Sequence, residues 1–310
     1  MSVRSTTADK PAASSAAKPR RKTGDLGIAM VFVLPAAIGF GLFFLWPTIR
    51  GIYLSLTNYD GSNRPGKWVG LANYQQMLHD PVLAKSLLVT VEYVIINIVV
   101  QTLLALAIAL LMQKVVTSTL SRGTLLTPYF IAPVIAALVW FWMLDPNLGI
   151  VNVFLEKIGI GSISFFGSST WVIPTIALVN VWKYMGYTAL LIFAGLQTIP
   201  GSVYEAASLD GAGEVKQFFK ITVPLLRPVL VLVLITSVVG SFQVFDTVAV
   251  TSRGGPANAS NVIQYYIVDQ AFNRSHFGYG SAISVLLFVI LIVVALVQFR
   301  VLRGRESDLA

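Results

Sequence analysis

Polar side chains interrupt the long apolar runs of this chain at helical spacing. Asn180, Lys183, Tyr184 and Tyr187 stand at i, i+3, i+4 and i+7, which puts them on one helix face. Gln243 and Asp246 share a face beyond Ser237 and Ser241, while Tyr93, Asn97 and Gln101 recur at i, i+4 and i+8 beside Glu92. Tyr129 lies between Pro128 and Pro133, where a helix is loosened. Amides, hydroxyls, a carboxylate and an ammonium beside aromatic rings suit the holding of a hydroxyl-rich solute, not the breaking of a bond. No His–Asp arrangement or carboxylate pair accompanies them, so no catalytic residue is expected. His79 and His276 fall in expected loops without acidic neighbours at ligand spacing, and with no Cys there is no thiolate site, so no metal is expected. Other roles stay open: Lys183 and Asp246 neutralising one another or meeting a partner, Glu92 pairing with a neighbouring helix, and Asn97 and Gln101 joining helices.

The elements that must carry these residues follow from composition. Over 310 residues the chain is 55% hydrophobic and 12% charged, with mean hydropathy +0.75. Soluble domains are roughly a quarter charged, so this is an integral membrane protein. Six apolar runs approach the roughly 20 residues that cross a bilayer, at about 26–46, 84–112, 124–144, 171–196, 227–250 and 279–300. Each far exceeds a barrel strand, so the expected fold is an all-α membrane protein with six transmembrane helices. Trp140 and Trp142 fit an interfacial belt.

The net charge of +8 is a matter of topology, not of nucleic acid. Lys and Arg crowd the N-terminal tail, the link holding Lys114 and Arg122, the loop with Lys216, Lys220 and Arg227, and the end with Arg300, Arg303 and Arg305. The positive-inside rule then puts both termini in the cytoplasm. Residues 1–25, rich in Ala, Ser, Pro and Lys, read as a disordered cytoplasmic tail, and 26–305 as one transmembrane domain. The run after the tail is too long for a signal peptide core and lacks a small-residue cleavage site. Gly61 to Lys67 matches the start of a phosphate-binding loop, but Trp68 stands where Ser or Thr would hold magnesium and no strand precedes it. No nucleotide site is therefore expected in this chain.

One stretch breaks the pattern. Residues 200–226, between the fourth and fifth runs, hold "EAASLDGAGEVKQFFKITVP". Ser202 and Glu205 have capping-box spacing after Pro200, Gly211 and Gly213 interrupt the helix, and a second helix from about Glu214 ends at Pro224 and Pro228. Ala206, Ala207 and Ala212 would admit a close partner, and Phe218 and Phe219 could anchor one; an amphipathic loop on lipid fits the spacing equally.

The residues Glu205, Ala206, Ala207, Asp210, Gly211, Phe218, Ile221, Pro224 and Pro228 resemble the EAA signature of permease subunits in binding-protein-dependent ABC importers, of the maltose, lactose and glycerol-phosphate type. "PTIRGIYLSLTNYDG", "LVNVWKYMGYTALLIFAGLQTIP" and "FQVFDTVAVTSRGGP" extend the likeness over almost the whole chain after the tail. The resemblance implies that the insert is a cytoplasmic coupling helix-turn-helix seated in an ATPase, with ATP and Mg bound by that partner and no cofactor here. It implies a second homologous permease, two ATPase subunits, an external solute-binding protein met by loops around Asn73–Tyr74 and Arg253–Pro256, and residence in the bacterial inner membrane. It places solute contacts on the segments of Tyr129, Asn180, Lys183, Tyr184, Ser241, Gln243 and Asp246. Here the sequence departs from the maltose permease, in which a Leu-Gly pair stands at Lys183 and Tyr184, so a maltose-specific pocket is not implied. Nor does the chain show that subunit's extra N-terminal spans and large external domain, which makes it the minimal six-span form.

A di- or oligosaccharide importer is thus expected. A glycerol-phosphate importer is the alternative, though a phosphate favours Arg and none lies inside a span, Arg227 and Arg300 standing at span ends. A secondary transporter would have no use for the coupling motif.

Overall fold

The computed structural model describes residues 24–114 and 118–303, so the expected tail over 1–25 falls almost wholly outside the described residues. Among the described residues the regular structure is helical, with one isolated β-bridge between Thr57 and Trp68. Five helical stretches are long and apolar enough to cross a membrane: Met30–Ser55, Pro81–Gln113, Val172–Leu196, Arg227–Val250 and Phe277–Arg300. The expected span over 124–144 is divided among short helices, the longest of them the 11-residue Pro133–Met143.

Residues up to Arg50 form one unit and those from Gly51 a second. The first holds α1 (Gly24–Phe40), a π-helical turn (Gly41–Leu45) and the start of α2 (Trp46–Leu54), the helix in which the two units join. In the second, α3 (Ala72–Leu78) precedes α4 (Pro81–Lys114), then come α5 (Thr119–Leu125), α6 (Thr127–Phe130), α7 (Pro133–Met143), α8 (Ile150–Lys157) and α9 (Val172–Leu196). The polar insert folds as α10 (Gly201–Leu209), α11 (Glu214–Gln217), a π-helical turn (Phe218–Thr222) and α12 (Val223–Leu225). The chain ends with α13 (Arg227–Phe242), α14 (Asp246–Val250), α15 (Ile263–Val268), another π-helical turn (Asp269–Asn273) and α16 (Phe277–Arg303).

Two apolar clusters set the helix directions. The first halves of α4 and α9 meet the ends of α13 and the start of α16 in one cluster, through Val89, Ile176, Phe242 and Ile283. The second halves of α4 and α9 meet the start of α13 in the other, through Ala109, Ile192 and Leu226. Thus α4 and α9 run parallel, and α13 runs against them. Helix α9 is buried along most of its length, which is why an apolar helix there can carry a polar stripe. Helices α4 and α16 turn Leu103, Val99, Phe288 and Leu296 outward instead.

At the end where α4 starts, Asp80 and Pro81 begin the helix as a cap residue and a first-turn proline. Asp80 Oδ1 accepts from the N–H groups of Val82 (2.9 Å) and Leu83 (3.1 Å), while Oδ2 accepts the hydroxyls of Tyr266 and Tyr279, both at 2.6 Å. Burial pushes the Asp80 carboxyl up, but these four donors together outweigh it and hold the group below its ordinary range. The Gly61–Lys67 segment closes as a hairpin between Thr57 and Trp68, with the Lys67 N–H turned onto Asn58 Oδ1 (2.7 Å). Asn73 is spent within the fold: its Nδ2 donates to the carbonyls of Ser55 (2.8 Å) and Thr57 (2.9 Å). Its amide thus fastens the chain reversal after α2.

Candidate functional site

Two helix breaks open a cavity of about 290 Å³ in the bundle. The first separates α6 from α7: Pro133 forces Ile131 and Ala132 into extended backbone (ψ 132° and 136°), and carbonyls around the break lose their helical partners. The second follows Phe242, where α13 tightens through Gln243 N–H to Gly240 and Val244 N–H to Ser241 (both 3.2 Å) before α14 starts at Asp246. Gly186 lets α9 lie against the end of α5, since a Cβ there would strike the Leu125 carbonyl oxygen.

The cavity wall joins rings to hydrogen-bonding groups. Tyr129 stacks on Tyr187 with centroids 4.6 Å apart and planes 11° from parallel, and meets Tyr184 edge-on at 6.0 Å. Asn97, Gln101 and Thr188 continue the wall as a chain: Asn97 Nδ2 donates to Gln101 Oε1 (3.2 Å), and Gln101 Nε2 donates to Thr188 Oγ1 (2.8 Å). Asn97 also donates to Ser241 Oγ (2.9 Å), and Asn180 donates to Thr247 Oγ1 (3.2 Å), which ties α4 and α9 to the α13–α14 break. Gln243 and Asp246 line the same space.

Of the seven residues singled out for solute contact, Tyr129, Asn180, Tyr184, Ser241, Gln243 and Asp246 border this cavity. Lys183 does not. Its side chain is 4% exposed, and Nζ donates to the carbonyls of Tyr129 (2.9 Å) and Ile131, with that of Pro128 at 3.5 Å. Its cation lies 5.1 Å from the Tyr184 ring centroid and 5.8 Å from that of Tyr129. Lys183 therefore closes the α6–α7 break and backs the tyrosines.

The insert is stitched by its own side chains. Helix α10 begins after Pro200 with no side-chain cap, so the expected Ser202–Glu205 box is not formed; Ser202 is already inside the helix. The helix ends in a Schellman turn: Ala212 N–H reaches the Ala207 carbonyl (2.9 Å), Gly211 N–H that of Ser208 (3.0 Å), and Gly211 sits at φ +76°. Gln217 Nε2 then donates to both Ser208 Oγ (2.9 Å) and the Ala212 carbonyl (2.8 Å), and the Tyr204 and Thr222 hydroxyls meet at 3.0 Å. Glu205, Ala206 and Asp210 are exposed, Ala207 and Phe218 half-buried. Leu209 (90% exposed), Val215 (72%) and Phe219 (63%) project into open space.

Residues 101–306 match the family described as binding-protein-dependent transport system inner membrane component. The chain belongs to this family. The permease is 34% identical to the sulfoquinovosyl glycerol transport system permease protein SmoG of Agrobacterium fabrum, over 91% of this chain and 92% of that one. It is 31% identical to the sn-glycerol-3-phosphate transport system permease protein UgpA of Escherichia coli, over 89% and 94%. Its fold matches a chain of a bacterial ABC transporter that imports the acidic polysaccharide alginate, with TM-score 0.79, 21% identity, and 91% and 97% coverage. The permease is thus a multi-pass inner-membrane subunit whose insert holds the family's EAA motif.

Sequence reasoning did not single out Thr188, Thr247 or Gln217, or the exposed Leu209 and Val215. Threonine is common in apolar helices, and nothing in spacing shows that Gln217 bridges two helices.

Proposed function

We propose that this permease is one of two homologous transmembrane subunits of an ATP-driven importer that passes a carbohydrate, delivered by an external binding protein, through the cavity at the two helix breaks. The observation that carries this reading is the cavity's pairing of stacked tyrosines with amides, hydroxyls and one carboxylate, the equipment that recognises sugar rings and their hydroxyls. Two features support a second permease. A space of about 290 Å³ is at the small end of ligand sites, so a larger cargo needs walls from elsewhere. Glu92 stands exposed among Leu88, Val91 and Ile95 on a membrane-spanning helix, where a bare carboxylate costs several kcal/mol.

Energy enters through α10–α12. Two ATPase subunits, which bind the ATP and Mg, grip this element from the cytoplasm, where both termini also lie. Moving a two-state equilibrium from 1:99 to 99:1 takes about 5.5 kcal/mol of differential binding, which a partner holding a stitched lever can deliver.

The test is a gentle-detergent pull-down of the tagged chain with mass spectrometry of its companions, wild type against Gly211→Asp. Wild type should bring an ATPase and a second permease, and the variant should lose the ATPase. A chain that purifies alone in both forms sinks the importer reading.

A further inference from the structure

Among the described residues one acceptor that borders the cavity has no donor. Asp246 begins α14 half-buried, and among the described residues its carboxylate has no hydrogen bond and no ion pair. Asn97 is 4% exposed and lines the same cavity; its Nδ2 is spent on Ser241 and Gln101, and its Oδ1 has no partner. The direction of that amide is fixed by chemistry. Ser241 gives its hydroxyl proton to the Ser237 carbonyl (2.7 Å), so toward Asn97 it can only accept, and Asn97 must present N–H there. Asn97 Oδ1 is enclosed, so the acceptor left for a donor entering the cavity is the Asp246 carboxylate.

Among the described residues no Lys, Arg or His lines the cavity. The cation close by, Lys183, is turned onto the carbonyls of Tyr129 and Ile131 and cannot swing to an incoming anion without stripping the α6–α7 break. Tyrosine hydroxyls and the Gln243 amide can give or take, so the charged group that meets a solute at the wall is Asp246.

We infer that this permease selects its cargo by charge: its half of the pathway takes an uncharged polyhydroxylated solute, one hydroxyl donating to Asp246, and turns away phosphorylated, sulfonated and uronic sugars. The inference rests on the reading of this cavity as the solute path. It separates the permease from relatives and structural neighbours named for glycerol phosphate and for an acidic polysaccharide. Asp246 is the specificity-determining residue.

The chain has no Cys, so Ser237→Cys puts a single, nearly isosteric thiol at the cavity wall. In the detergent-solubilised complex, its labelling by the cationic trimethylammonium-ethyl methanethiosulfonate and the anionic sulfonatoethyl reagent is compared with their rates on a free thiol. The cationic reagent should be favoured by roughly tenfold at low salt, and adding Asp246→Asn should bring the ratio near one. If that double variant does not assemble, Ser237→Cys alone still decides. Its preference should shrink toward one as salt rises, and an absence of preference at low salt overturns the inference. A sugar phosphate, sulfonate or uronate accumulated by the reconstituted importer also overturns it, while leaving the importer reading intact. Loss of the ATPase companion would do the reverse.

Discussion

The Lys183 ammonium lies 2.9 Å from the carbonyl oxygen of Tyr129, two turns of backbone logic meeting at one atom. Pro133 breaks the helix after Tyr129 and strips carbonyls of their partners; a lysine buried in α9 supplies the missing N–H groups. Its charge is matched by carbonyl dipoles and by the faces of Tyr129 and Tyr184. The rings that line the cavity are thus held from behind.

Replacing this cation should loosen the break before it alters recognition. Lys183→Met removes the donors and leaves buried carbonyls unpaired, at about 1–3 kcal/mol each. Thermal unfolding of the detergent-solubilised chain should shift down by several degrees, with Lys183→Arg recovering part of the loss. A Lys183→Met chain of unchanged Tm would show that the carbonyl contacts carry no stability.

The Schellman turn makes a second prediction at Gly211. At φ +76° any Cβ is unfavourable, by about 1–2 kcal/mol, yet nothing lies within 4 Å of that position. Within the chain the cost is then backbone strain, not collision, and Gly211→Asp adds to it a negative charge on the face proposed to meet the ATPase. Gly211→Asn, which tolerates left-handed backbone, should keep most of the ATPase that co-purifies, and Gly211→Val should lose most of it. Equal loss in both would point to a contact at Gly211 itself.

Gln217 should matter through shape. Its amide joins Ser208 on α10 to Ala212 in the turn, and truncation to Ala gives up two hydrogen bonds of about 1 kcal/mol each. Hydrogen exchange across 204–222 should quicken in Gln217→Ala while the membrane helices keep their protection. Addition of Tyr204→Phe, which removes the bond to Thr222, should quicken it further. Exchange unchanged in the double variant would mean that the lever is rigid for another reason.

What was legible in the sequence follows the range of the interactions. The stripe from Asn180 to Tyr187 obeys a local period, and the loosened helix at Tyr129 is marked by its prolines, so both were readable. Lys183 carries the same period, but its carbonyl partners are 52 to 55 residues away on another element. Spacing therefore aimed it at the solute. The third span read as one apolar run because hydropathy does not register a two-residue extended break. The Ser202–Glu205 spacing misled in the other direction: Pro200 already fixes the helix start, and the cap it suggested has no role.

Asp80 combines both cases. Asp-Pro at the head of an apolar run is a local helix start, but Tyr266 and Tyr279 reach its carboxylate from 186 and 199 residues away. One oxygen caps α4 and the other gathers α15 and α16, so three elements close on a single group. Asp80→Ala leaves two buried hydroxyls without an acceptor and removes the cap, which should cost about 2–4 kcal/mol. The pH dependence has a definite sign. The folded carboxyl titrates below its ordinary value, so its contribution is complete above the unfolded pKa of roughly 4 and fades as pH falls through the folded one. Unfolding midpoints of wild type should therefore decline below about pH 4 more steeply than those of Asp80→Asn, which has no carboxylate to protonate. Parallel curves for the two chains would show that the Asp80 knot does not hold these three elements together.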